Sequence, residues 1–240
     1  MSTARASSGT GVACVPVADR LPHDLPPELV PRLRGLLHAY AFYAAVVCAA
    51  VLVVLAPDGR ARAGAIVYGI GLCALFGVSG AYHRWRGTPR VKRLLRRADH
   101  ATIFVFIAAS YTPVALLALT GTMRWVVLCS AWAGALAGVS LSVGWIDASR
   151  RLTAIAYIAL GWIAIIAFPQ LAERVGTLAF ALLVTGGALY SAGAIIYATQ
   201  RPNPWPLTFG FHELFHALVI AAAIAHLAVL GPLIASPPGA

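Results

Sequence analysis

Residues 214–234 read LFHALVIAAAIAHLAVLGPLI, an unbroken stretch without Asp, Glu, Lys or Arg. A helix needs about 20 mostly apolar residues to cross the hydrocarbon core of a bilayer, so this stretch accounts for one crossing. Six more uncharged runs precede it, at Leu36–Ala56, Ala63–Tyr82, Ala101–Thr120, Trp125–Trp145, Leu152–Phe168 and Thr177–Ala198. Each is bounded by charge, Pro or Gly, the ordinary breakers. The alternating pattern of a barrel strand is absent, and helices are then the one spanning solution that satisfies the backbone in lipid. The sequence therefore predicts an all-α membrane protein, a seven-transmembrane helix bundle placed multi-pass in the cell membrane.

Composition supports this. Of 240 residues, 60% are apolar and 11% charged, which excludes a soluble enzyme, a disordered chain and collagen. A net charge of +10 would suggest nucleic acid in a soluble protein. In a membrane chain the basic residues set orientation and meet anionic lipid, so no nucleic-acid partner is expected. With alternating loops, fourteen basic residues fall on the amino-terminal side and only Arg60, Arg62, Arg124 and Arg174 on the other. That bias predicts a cytoplasmic amino terminus and, after seven spans, a carboxyl terminus outside. Residues 1–31 are expected to form a disordered cytoplasmic tail, 32–234 the seven-span domain, and 235–240 a second disordered tail. Cys14, Cys48, Cys73 and Cys129 have no paired spacing, and no disulfide framework is expected.

In the basic segment 84–98, Val91, Leu94, Leu95 and Ala98 recur at helical spacing while Arg90, Lys92, Arg93, Arg96 and Arg97 cover the other face. This reads as an interfacial helix that anchors topology or meets anionic headgroups of membrane lipids. Gly134 and Gly138 form a small-xxx-small pair suited to close helix packing, and Pro113 is expected to kink the third span.

The few ionisable residues at membrane depth carry the functional signal, because each costs roughly 2.5–3.5 kcal/mol at a helix centre on insertion scales. Ser79 and His83 close the second span, Asp99 and His100 open the third, and His212, Glu213 and His216 open the seventh. The charge bias brings all of them to the cytoplasmic leaflet. His212 and His216, four apart, share one helical face and can reach a single metal, with His83 as a third nitrogen ligand. Three His ligands leave a fourth position open, the arrangement of catalytic zinc. Asp99 is placed to bind the metal or to hold its water, and His100 to orient Asp99 or to reach the headgroups. His212-Glu213-Leu214-Phe215-His216 also fits the zincin pattern H-E-x-x-H, with Glu213 as a partner in water activation or merely a solvated acid. His38 is expected at the interface, and the lone His226 packed and hydrogen-bonded to a neighbouring helix.

Taken together, Ser79-x3-His83, Asp99-His100 with Tyr111-Thr112-Pro113, Gly210-Phe211-His212-Glu213-Leu214-Phe215-His216 and the opening Arg34-Gly35-Leu36-Leu37-His38 resemble the hemolysin III family. That family is related to the progestin and adipoQ receptors and to the alkaline ceramidases. The resemblance spans roughly Pro31 to Leu233. It implies a zinc ion held by His83, His212 and His216, with Asp99 linked through water and Ser79 nearby. Kinship of fold does not fix a substrate, and the leading expectation from the residues themselves is metal-dependent hydrolysis of a lipid amide or ester, with Asp99 taking or positioning the proton and Ser79 binding the developing oxyanion or orienting Asp99. The alternatives are a non-catalytic membrane sensor stapled by zinc and, as the family name suggests, a pore-forming cytolysin.

Overall fold

A computed structural model describes residues 30–237. Among these residues the chain is helical throughout its crossings, with seven helical spans long and apolar enough to traverse a membrane. In order they are α1 (Leu36–Leu55), α2 (Arg60–Arg84), α3 (Pro89–Leu117), α4 (Gly121–Gly144), the pair α5 (Arg150–Gly161) and α6 (Phe168–Val175), α7 (Thr177–Thr199) and α8 (Phe211–Ala235). Of the tails expected at 1–31 and 235–240, residues 1–29 and 238–240 lie outside the described residues, as does Cys14, while Ala235 is still the last residue of α8. Cys48, Cys73 and Cys129 are free.

Two elements differ from the sequence expectation. The basic segment is not a separate interfacial helix. Pro89 takes the first helical turn, where its missing N–H is no loss, and nothing breaks the helix before Leu117, so the cationic residues form the first turns of α3 itself. Conversely, the uninterrupted apolar run of the fifth span is broken. After Gly161 it tightens into a 3-10 turn over Ile163–Ala167 and resumes at Phe168 with Pro169 in the first turn of α6. Broken backbone at membrane depth needs partners from neighbouring protein. The Tyr111 hydroxyl supplies one by donating to the Gly161 carbonyl, and it accepts from the Ala164 N–H at 3.3 Å.

Close packing replaces the hydrophobic drive that lipid cannot provide. On α2, Gly64 and Gly71 let the backbone approach Pro113 and Ala109 of α3, and a side chain at Gly138 of α4 would run into the Phe104 ring. Gly134 faces Leu160 in the same way. Tyr68, Phe104, Leu119 and Leu230 fill the interior. Outward residues are apolar too: Val54 and Leu178 are 80% and 77% exposed, as side chains facing acyl chains should be.

Alternation brings the start of α1, the end of α2, the first third of α3, the start of α5, the end of α7 and the start of α8 to one end of the bundle. The polar side chains gather there.

Candidate metal centre

His83 lies in the last turn of α2, and His212 and His216 stand one turn apart at the start of α8. The helices carry these rings toward one another. Nε2 of His83 and Nε2 of His212 are 3.1 Å apart, and one ligand atom from each of His83, His212 and His216 lies within 4.8 Å of the others. Asp99, nearly three turns into α3, directs its Oδ2 to 4.0 Å from His83 Nε2 and the same distance from His100 Nδ1. His100 turns away. Its Nδ1 lies 2.9 Å from the Arg96 carbonyl and its Nε2 3.3 Å from the Tyr197 hydroxyl, so its ring is fixed beside Asp99 without reaching the histidine trio.

Three tests bear on whether this donor set suits a metal. Bonds of about 2.0–2.1 Å in a tetrahedron set ligand nitrogens about 3.4 Å apart, close to the 3.1 Å between His83 and His212. Three imidazole nitrogens drawn together cannot all satisfy one another by hydrogen bonding, since a pair needs one donor and one acceptor. A shared cation satisfies all three. Finally, Arg34 donates through Nε to Glu213 Oε1, and this pairing offsets part of its repulsion of a second positive charge at the histidines. The three histidines could hold a metal ion.

Several neighbours were not expected from the sequence. His38, placed at the interface by its position near the start of α1, is 3% exposed. Its ring stacks on His216 with centroids 3.7 Å apart and planes 5° from parallel, and its Nδ1 lies 2.9 Å from Ser79 Oγ. Ser79 is therefore held by α1 while lining the same cavity as Asp99. Gly35, with φ 74°, permits this approach, since a side chain there would collide with His83 Cβ.

Glu213 departs from both readings of the zincin pattern. It is 1% exposed, so it is not a solvated acid. Its Oε1 accepts from Arg34, and its Oε2 accepts from the Gly210 N–H at 2.9 Å. One oxygen thus ties the start of α8 to the segment before α1, and the other caps the first turn of α8. His226 does as expected, its Nε2 lying 3.1 Å from the Leu183 carbonyl of α7.

The cluster opens into a cavity of about 430 Å³ that runs between the helices. Its polar end is lined by Ser79, His83, Asp99, His212 and His216, and its deeper walls by Phe106, Ile107, Trp162, Phe180, Leu183 and Val219. A polar head and an apolar body of this kind suit an amphiphile.

Comparison with known proteins agrees with this architecture. The profile of the family described as Haemolysin-III related matches residues 29–227. The chain is 31% identical over 157 residues to "Hemolysin-3" of Bacillus cereus, covering 65% of this chain and 68% of that protein. It is 30% identical over 159 residues to "Hemolysin-3 homolog" of Bacillus subtilis, covering 66% and 71%. It is also 27% identical over 197 residues to human "Monocyte to macrophage differentiation factor", covering 79% and 78%. No solved structure matches.

Proposed function

The chain belongs to the haemolysin-III-related family of multi-pass membrane proteins, and from that premise we propose that it is a zinc-dependent hydrolase of a lipid amide or ester. We place its polar end at the cytoplasmic leaflet, because that end collects most of the basic residues. The observation that carries the reading is the convergence of three imidazoles beside a largely covered carboxylate, 13% exposed, at the head of an apolar cavity.

His83, His212 and His216 would hold the ion. What zinc supplies when bound is Lewis acidity and a water whose pKa falls toward about 7. The remaining work belongs to the chain. The cavity walls align the acyl chain so that the carbonyl reaches the polar end and bulk water stays out. Asp99 Oδ2 takes a proton from the attacking water as its oxygen adds to the carbonyl carbon. The same atom returns that proton to the leaving nitrogen or oxygen as the C–N or C–O bond breaks. Ser79, held by His38, orients Asp99 or donates to the developing oxyanion.

The test is elemental analysis and lipid turnover on purified protein, using a ceramide-like amide and an acyl ester as substrates. Zinc near one per chain with hydrolysis of either substrate is the expected result. Bound zinc without turnover of any such lipid overturns the enzymatic reading and leaves a metal staple joining α2 to α8, whose signature is a large fall in thermal stability on chelation. The name of the bacterial relatives points to lysis. We disfavour a pore here, because the described spans face outward with apolar side chains and the inner cavity is mostly apolar; release of dye from liposomes by purified protein would reverse that judgement.

A further inference from the structure

The mouth of the cavity carries a cation that the proposed chemistry does not use. Arg150 opens α5, directly after Ser149, whose hydroxyl accepts the Leu152 N–H at 3.2 Å as N-cap. The Arg150 side chain lines the cavity rather than pointing away from it. Its Cζ lies 5.9 Å from the ring centre of Tyr197 and 5.9 Å from that of Phe211, so two aromatic faces hold the guanidinium in place. Its Nη1 is shielded from solvent and has no hydrogen-bond partner among the described residues.

The other arginines at the mouth are committed. Arg34 is bound to Glu213. Arg96 donates to Asp147 Oδ1 at 3.0 Å and to the Ile146 carbonyl at 3.3 Å, which also occupies the one acid on the rim. Asp99 sits deeper, beside His83. Lys92, exposed, adds a second cation to the same lining. A shielded guanidinium N–H without an acceptor is costly, and the planar fork of Arg matches the paired oxygens of carboxylate and phosphate. The Tyr197 ring packs against Arg150 on one side and lies 6.1 Å from the His212 ring, so one aromatic wall separates this cation from the histidine cluster.

We infer that Arg150 is the centre of an anion-binding subsite at the cavity mouth, and that the amphiphile admitted there has a net anionic head, a phosphate or carboxylate with no ammonium beside it to offset its charge. That the ligand is a lipid rests on the hydrolase reading; that it is an anion rests on Arg150 alone. Free phosphate offers the same chemistry as a lipid phosphodiester, and the experiment separates the two.

Native mass spectrometry of the purified full-length protein would be run against dioleoylphosphatidylglycerol, dioleoylphosphatidylcholine and inorganic phosphate in turn. Wild type is expected to prefer the anionic over the zwitterionic lipid by about tenfold or more, a preference lost in Arg150→Gln and kept in Arg201→Gln, a loop substitution that controls for net charge. Arg150→Lys, which keeps the charge and loses the fork, should recover part of it, and it carries the test if Arg150→Gln does not fold. Phosphate that displaces phosphatidylglycerol from wild type and does not bind Arg150→Gln identifies the free anion as occupant. Failure to displace identifies the lipid head. Equal preference in wild type and both Arg150 variants, or none in wild type, overturns the subsite. Zinc content and turnover measured on the same samples keep the two ideas apart, since wild type that binds the anionic lipid selectively and hydrolyses nothing sinks only the hydrolase.

Discussion

His216 and His226 occupy the same helix, ten residues or about 15 Å apart along its axis, and have opposite surroundings. At His226 one imidazole meets one acceptor, the Leu183 carbonyl at 3.1 Å, in a space left open by Gly186. At His216 the ring is stacked on His38 and drawn together with His83 and His212. A single buried imidazole is satisfied by a single carbonyl and asks for nothing further. Several imidazoles turned on a common centre leave lone pairs facing one another, which a proton relieves for one pair and a cation for all. Depth in the membrane therefore does not mark a functional histidine; convergence does.

The sharpest way to break this contrast is metal content. His83→Ala and His216→Ala should each lose stoichiometric zinc, whereas His226→Ala should retain it, read by elemental analysis of the purified proteins. Equal loss in all three would erase the distinction. Asp99→Asn should keep the metal and lower lipid turnover by about 10²–10⁴-fold, the usual range for a lost acid–base group; turnover close to wild type would remove Asp99 from the chemistry. Glu213→Gln should behave differently again, retaining zinc and most activity while the thermal midpoint falls, because a buried charge pair deprived of one partner costs about 3–5 kcal/mol. Smallest is Gly186→Ala. Its added methyl pushes into the His226 ring, and a stability loss of about 1–3 kcal/mol from overpacking should come with unchanged zinc.

How much of this was legible in the sequence follows physical lines. The seven crossings are readable because lipid leaves an uncharged backbone no alternative to the helix, and the histidine trio because ionisable residues at that depth are few and fall at span ends of matching orientation. The break after Gly161 is not readable, since an apolar run looks the same straight or broken, and its compensation comes from Tyr111, distant in the chain. His38 is missed for another reason: a lone histidine at a span terminus is ordinarily wetted, and it is packing against His216, Phe76 and Ser79 that removes it from water. Glu213 matches a familiar motif letter for letter, but Arg34 and the Gly210 N–H, invisible to a pattern, engage both its oxygens.

The bare backbone at Gly35 has a consequence for assembly of the whole polar end. Because no atom projects there toward His83, the first rod can lie against the second closely enough for His38 to brace Ser79 and for the Arg34 arm to clasp the foot of the last rod. A single methyl would act as a shim, spreading those contacts at once. The absence of one small group thus governs the spacing of three rods.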